Sequence, residues 1–188
     1  MEPIWIVLIV IGALLLLTGI FIIATKNALV RLRNDVEESF SAMDVGMKKR
    51  YDLVPNLVNT VKGIMKHESE TLTKVIEARN SALGAKTPEN KGKAEGELSG
   101  ALKTLFSLTE SYPDLKANVN FLDLQTQLQN VELEISNYRR YFNASVKAYN
   151  NKIETFPSSV VAKMFKFERK NMFTVDNVEE RKNVKVEF

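Results

Sequence analysis

Cysteine is absent from this chain, histidine and tryptophan occur once each, and glycine and proline are sparse. Without cysteine there is no disulfide, no thiolate ligand or nucleophile, and no acyl anchor of the lipoprotein kind. That absence fits either side of a membrane, since it shows only that no disulfide is needed. The single histidine, His67, stands in the polar run KHESE, where solvent exposure is expected and ligation is not. Zinc sites draw three or four ligands from His, Cys and carboxylates, and His67 with Glu68 and Glu70 makes a poor set. Neighbouring carboxylates such as Glu37 with Glu38, or Glu132 with Glu134, lie among charged residues and read as solvated surface. Nothing suggests the burial that would separate their pKa values into a general acid and a general base. No glycine loop of phosphate-binding form occurs. A balance of 26 Lys and Arg against 23 Asp and Glu, formally +3, lacks the basic stripe of a nucleic-acid binder. The chain therefore reads as a non-enzyme with no cofactor and no nucleic-acid partner.

What is present begins with IWIVLIVIGALLLLTGIFIIA, from Ile4 to Ala24, in which Thr18 is the only hydroxyl and no side chain ionises. About twenty apolar residues at roughly 1.5 Å each span a bilayer core of roughly 30 Å as a helix. A buried soluble helix would carry a polar stripe, and this one has none. A cleaved signal peptide needs a basic start, a shorter apolar run and a small-x-small cleavage site, and all three are missing. Residues 1–25 are accordingly expected to be an uncleaved anchor whose partner is the lipid bilayer. Lys26, Arg31 and Arg33 follow it, while Glu2 precedes it. The positive-inside rule then puts the amino terminus outside and the remainder in the cytoplasm, as a single-pass membrane protein.

Residues 26–188 have the length of one domain. Leu29, Leu32, Val36, Phe40, Met43, Met47, Val54, Leu57 or Val58, Val61, Met65, Leu72 and Val75 repeat at three-four spacing, one face of a long helix. Gly46 and Gly63 weaken it by about 1 kcal/mol each. Pro55 removes one helical hydrogen bond and crowds the carbonyl of Tyr51, so a kink is expected there. The helix is predicted to end near Leu83. GAKTPENKGKAEGE, residues 84–97, shows no apolar periodicity and is expected to be a mobile, exposed loop. A shorter helix carrying Leu98, Leu102, Leu105 and Leu108 should close before Pro113. Asn120 is the expected N-cap of the longest pattern, Phe121 through Ile135, Phe142 and Tyr149 to Phe156, which Pro157 stops. A short apolar piece from Val160 to Phe167 follows, and the final NVKVEF suits an extended tail. The fold class is all-α: one transmembrane helix followed by an elongated antiparallel bundle of long helices.

Two basic clusters stand out. Lys48, Lys49 and Arg50 begin roughly 36 Å beyond the anchor along a straight helix, too far to feel the anchoring leaflet unless the bundle lies flat on it. A carboxylate-pairing role inside an assembly is at least as good a reading as contact with the membrane surface. The second cluster, Lys163, Phe165, Lys166, Phe167, Arg169 and Lys170, mixes bases with aromatics and is a candidate lipid or partner contact, with packing at the bundle end as the plainer role.

Four phrases complete the pattern: MDVGMKKRYDLVPNLVNTVKGIMKHE (Met43 to Glu68), YPDLKANVNFLDLQTQL (Tyr112 to Leu128), YRRYFNASVKAYNN (Tyr138 to Asn151) and FPSSVVAKMFKFE (Phe156 to Glu168). With the anchor, their order and spacing resemble the bacterial LemA family over nearly the whole chain. The resemblance implies a one-pass membrane protein with a long antiparallel helical bundle and no established catalytic activity; one branch of the family is associated with building magnetosome membranes. Some members resemble lipoproteins, which the missing cysteine excludes here. Phe40 stands where tryptophan is common, Gly46 where glutamine is common, and Lys166 where glycine often precedes the phenylalanine.

Within those phrases Arg50, Tyr51, Asp52 and Asn56 flank the proline, and Tyr112, Asp114, Lys116, Asn118 and Asn120 form the turn into the longest helix. Caps and turns are their structural role; contact between subunits or with a partner is their functional one. The leading expectation is a membrane-anchored scaffold or adaptor that forms a homo-oligomer or docks another membrane protein. The alternative is a lipid-binding or membrane-remodelling protein acting at the bilayer surface.

Overall fold

The structure is a computed structural model that describes residues 2–65 and 67–174. Among these residues every regular element is helical: α1 (Glu2–Lys62), α2 (Ser69–Gly84), α3 (Pro88–Thr109), α4 (Pro113–Lys116), α5 (Val119–Glu154) and α6 (Ser158–Met164). The expected extended tail NVKVEF lies outside the described residues.

The anchor sequence and the first bundle helix are one element, and α1 runs through Pro55 without ending. A mid-helix proline costs about 3 kcal/mol. Val54, Leu57, Val58 and Val61 are all buried around it. Each such side chain returns roughly 1.5–3 kcal/mol on burial, so packing wins.

Three sequence expectations are corrected. The first long helix does not reach Leu83: α1 ends at Lys62, and a turn closes it with Met65 N–H donating to Val61 O at 2.8 Å. Chain reversal lets Leu72, Val75 and Ala82 of α2 pack with α3, which buries Ala94, Leu98, Leu102 and Leu105. Residues 84–97, expected as loop, are helical from Pro88 onward. Thr87 is the N-cap, accepting a hydrogen bond from Asn90 N–H at 3.3 Å, and Pro88 occupies the first turn, where its missing N–H costs nothing. The loop shrinks to Ala85, Lys86 and Thr87. The N-cap of α5 also shifts, from Asn120 to Asn118, whose Oδ1 accepts from Phe121 N–H at 3.0 Å.

The chain forms two compact units, Met1–Ser39 with Asn143–Lys170, and Phe40–Phe142 with Asn171–Phe188. In the first unit the buried apolar side chains include Leu29, Val36, Val146, Tyr149, Ile153 and Val161. Tyr149 Oη donates to Glu168 O at 2.9 Å. The Asn150 amide exchanges two hydrogen bonds with the Lys170 backbone, at 2.8 and 3.0 Å. These contacts pin the segment after α6 onto α5. In the second unit the core includes Met43, Met47, Val54, Leu57, Leu98, Leu105, Leu115, Phe121, Leu128 and Phe142. A Cβ on Gly46 would stand 3.3 Å from Ile135 Cγ1, so α1 and α5 approach closely there.

Candidate functional site

In the second unit the chemistry converges on Arg50, which is 2% exposed. Its guanidinium pairs with the carboxylates of Glu95 from α3 and Glu132 from α5, and donates to Ser99 Oγ at 3.0 Å. Tyr51 Oη donates to the other oxygen of Glu95. Glu95 is itself 3% exposed, whereas Glu132 is about half exposed. Arg50 Nε is buried and makes no hydrogen bond. Burial pushes the guanidinium below its ordinary range, against the pull of Glu132 and Tyr51. Burial likewise pushes the Tyr51 hydroxyl up to about 12, opposed by the Arg50 charge. Nearby, Lys91 pairs with Asp44, and desolvation lowers the Lys91 pKa. Lys49 reaches Glu134 at 3.1 Å on the surface. Two of the three bases in the Lys48–Arg50 run are thus paired with carboxylates of the same unit.

Arg50 and Glu132 also border a cavity of about 1300 Å³ between α3 and α5. Leu102, Phe106, Phe121 and Leu128 line its apolar part, and Ser99, Thr104, Lys116, Gln125 and Gln129 its polar part. Among the described residues no three His, Asp or Glu side chains converge in a way that would hold a metal. The only histidine, His67, is exposed.

The residues singled out from the sequence separate into roles. Arg50 and Tyr51 are buried and spend their polar atoms inside the unit. Asp52 and Asn56, on the same stretch of α1, are exposed. Tyr112 caps α4 and its hydroxyl donates to Glu68 Oε1 at 3.3 Å, joining two turns. Asn118 caps α5, Lys116 lines the cavity, and Asp114 and Asn120 are exposed without joining the Arg50 cluster. Three contributors were invisible in the sequence. Glu95 and Ser99 lie in or beside a stretch whose Lys and Gly content disguised a helix. Arg79 of α2 donates from Nε to the Tyr51 carbonyl at 2.7 Å, the carbonyl that Pro55 leaves without a helical donor.

In the first unit the basic and aromatic residues after α6 meet α1. Lys26 Nζ lies 4.7 Å from the centre of the Phe165 ring, and Arg33 Cζ lies 5.9 Å from that of Phe167, both cation–π distances. Lys163, Phe165, Lys166 and Arg169 are exposed, and Phe167 and Lys170 are half-buried. Arg169 Nε is 3.6 Å from Glu154. The end of α6 is a Schellman cap: Lys166 N–H donates to Lys163 O at 3.2 Å and Phe167 N–H to Ala162 O at 2.9 Å. Lys166 occupies the left-handed position of that cap, with φ of 55°. Glycine takes such a position without the strain that a Cβ brings.

These features define a helical protein whose first helix is long and apolar enough to cross a membrane, joined to a helical bundle with a buried ionic cluster. The chain belongs to the LemA family, whose model matches residues 39–188. It is similar to protein LemA of Metamycoplasma hominis, with 28% identity over 172 residues, 88% of this chain and 77% of that protein. It is also similar to magnetosome protein MamQ of Magnetospirillum gryphiswaldense, at 25% identity over 78% of this chain, and to MamQ 2 of Paramagnetospirillum magneticum, at 24%. The match spans 64% of each of those two magnetosome proteins.

Proposed function

We propose that this protein is a single-pass, membrane-anchored helical scaffold or adaptor that self-associates and has no catalytic activity of its own. The observation that carries the reading is the bare first part of α1. From Ile4 to Ala24 every residue is exposed except Gly19 and Ile22, which are half-buried, and Ile9 and Leu15 reach 69%. Exposed apolar surface on that scale requires a partner, and a bilayer matches its length. The three bases that follow support a cytoplasmic bundle in a bacterial inner membrane. Self-association is supported by apolar side chains left bare in the second unit. Leu133 and Tyr141, eight residues apart on one face of α5, are 65% and 58% exposed. The likeness to magnetosome proteins supports a role at a membrane.

Carbonate extraction tests the anchor. The full chain should stay with membranes and a variant lacking residues 2–25 should leave them; a full chain released by carbonate would refute it. For orientation, a cysteine in place of exposed Ser111 should react with an impermeant maleimide only after lysis. Self-association is checked in detergent, where a disulfide dimer formed through Leu133→Cys should appear at low protein concentration. A strict monomer at every concentration would count against that part of the reading.

A further inference from the structure

Beyond the bare stretch of α1, the large exposed apolar side chains of the first unit among the described residues fall on one short run. Phe156, Val160, Met164 and Phe165 are 79, 58, 53 and 39% exposed. On α6 the buried side is Ser158, Val161 and Ala162, while Val160, Lys163 and Met164 face out. The outward face of this helix is therefore apolar and basic, the composition of an element lying at a membrane surface and not of one facing water.

Its position along α1 favours the same partner. Side chains of α1 first become buried at Thr25 and then at Leu29, immediately past the apolar stretch. The Phe165 ring is packed on Lys26, two residues beyond Ala24, and the Phe167 ring on Arg33. Lys26 and Arg33 are separated by about 10 Å of helix axis. Residues 165–167 thus run along the first turns of α1 outside the bilayer, with Phe165 at the membrane end. The charges are ordered accordingly. Along α1 the bases Lys26, Arg31 and Arg33 all precede the acids Asp35, Glu37 and Glu38, and residues 154–170 carry four bases against Glu154 and Glu168. A lysine, Lys166, occupies a backbone position that disfavours side chains.

We infer that α6 and the turn after it form a collar lying in the headgroup layer of the bilayer that α1 crosses. Val160, Met164 and Phe165 enter the boundary with the acyl chains, and Lys26, Lys163 and Lys166 bind the phosphates of anionic lipids. The collar rests on the reading of α1 as a membrane span. It holds the first unit against the surface at a second point, which fixes the tilt of that unit in a way that one helix alone does not.

The test uses the full chain reconstituted into phosphatidylcholine vesicles with and without phosphatidylglycerol. Met164→Cys carries an environment-sensitive fluorophore, and Glu110→Cys is the control. At position 164 the emission should shift to the blue and be quenched by a nitroxide held at headgroup depth, several-fold more than at 110. Phosphatidylglycerol should strengthen the effect, and Lys163→Glu with Lys166→Glu should reverse that gain. Water-like, unquenched emission at 164 from a chain that resists carbonate extraction would overturn the collar and leave the anchor standing. Quenching indifferent to phosphatidylglycerol would overturn the anionic-lipid contact. Loss of the chain to carbonate would overturn the span on which the collar depends.

Discussion

Arg79 Nε donates a 2.7 Å hydrogen bond to the carbonyl of Tyr51, the group that loses its helical partner to Pro55. One helix carries a proline and its neighbour supplies the missing donor, so α1 continues where a break was available. A buried acceptor left unsatisfied costs about 1–3 kcal/mol.

Arg79→Met should therefore lower unfolding stability by about 1–3 kcal/mol in chemical denaturation. In a Pro55→Ala background the carbonyl regains a backbone donor, and the same substitution should become nearly neutral. A cycle in which both effects simply add would show that Arg79 acts elsewhere.

Arg50 makes a sharper case. Arg50→Met leaves Glu95 buried with only the Tyr51 hydroxyl and should cost roughly 3–5 kcal/mol. The triple variant Arg50→Met, Glu95→Leu, Tyr51→Phe removes the whole buried set, Glu132 being free to turn to water. It should be more stable than Arg50→Met alone, measured by denaturant midpoint. A triple variant less stable than the single would mean that the ionic cluster stabilises the bundle beyond satisfying its own members.

Alkaline pH probes Tyr51. Its folded pKa of about 12 lies above the ordinary value near 10. Folding thus favours the protonated phenol, whose contribution is complete below about pH 10 and is lost as pH rises toward about 12. The loss amounts to roughly 3 kcal/mol across that interval. Tyr51→Phe should start less stable but fall less steeply between those pH values. Parallel slopes for the two proteins would place the alkaline transition on other groups.

Lys166 sits at φ 55°, so Lys166→Gly should raise stability by roughly 0.5–1 kcal/mol in detergent. The same change should weaken the response to phosphatidylglycerol at position 164. Greater stability with an undiminished lipid response would leave Lys166 with no part in binding headgroups.

Much of the architecture was legible because helices impose a period that side chains must obey. The stripe through Val131, Ile135, Phe142 and Val146 is buried as its spacing demands. The turn after Lys62 leaves only a faint sign in the sequence. Between Met65 and Leu72 the face has no apolar residue at 68 or 69, but heptad spacing tolerates one such gap. Thr87-Pro88 was an available start signal for α3, overshadowed by the Lys and Gly that follow. Asn118 and Asn120 are equally good caps by residue type, and only the backbone path chooses between them.

The sequence by itself determined the helical class, the apolar stretch from Ile4 to Ala24 and the family, because composition, periodicity and phrase order are properties of the chain alone. Tertiary structure decided where charges go. Glu95 is an ordinary surface residue by its neighbours in sequence, and it becomes a buried partner of Arg50 only when α3 folds back on α1. Phe165 likewise meets Lys26 only once the chain has turned after α5, across a separation that no local pattern encodes.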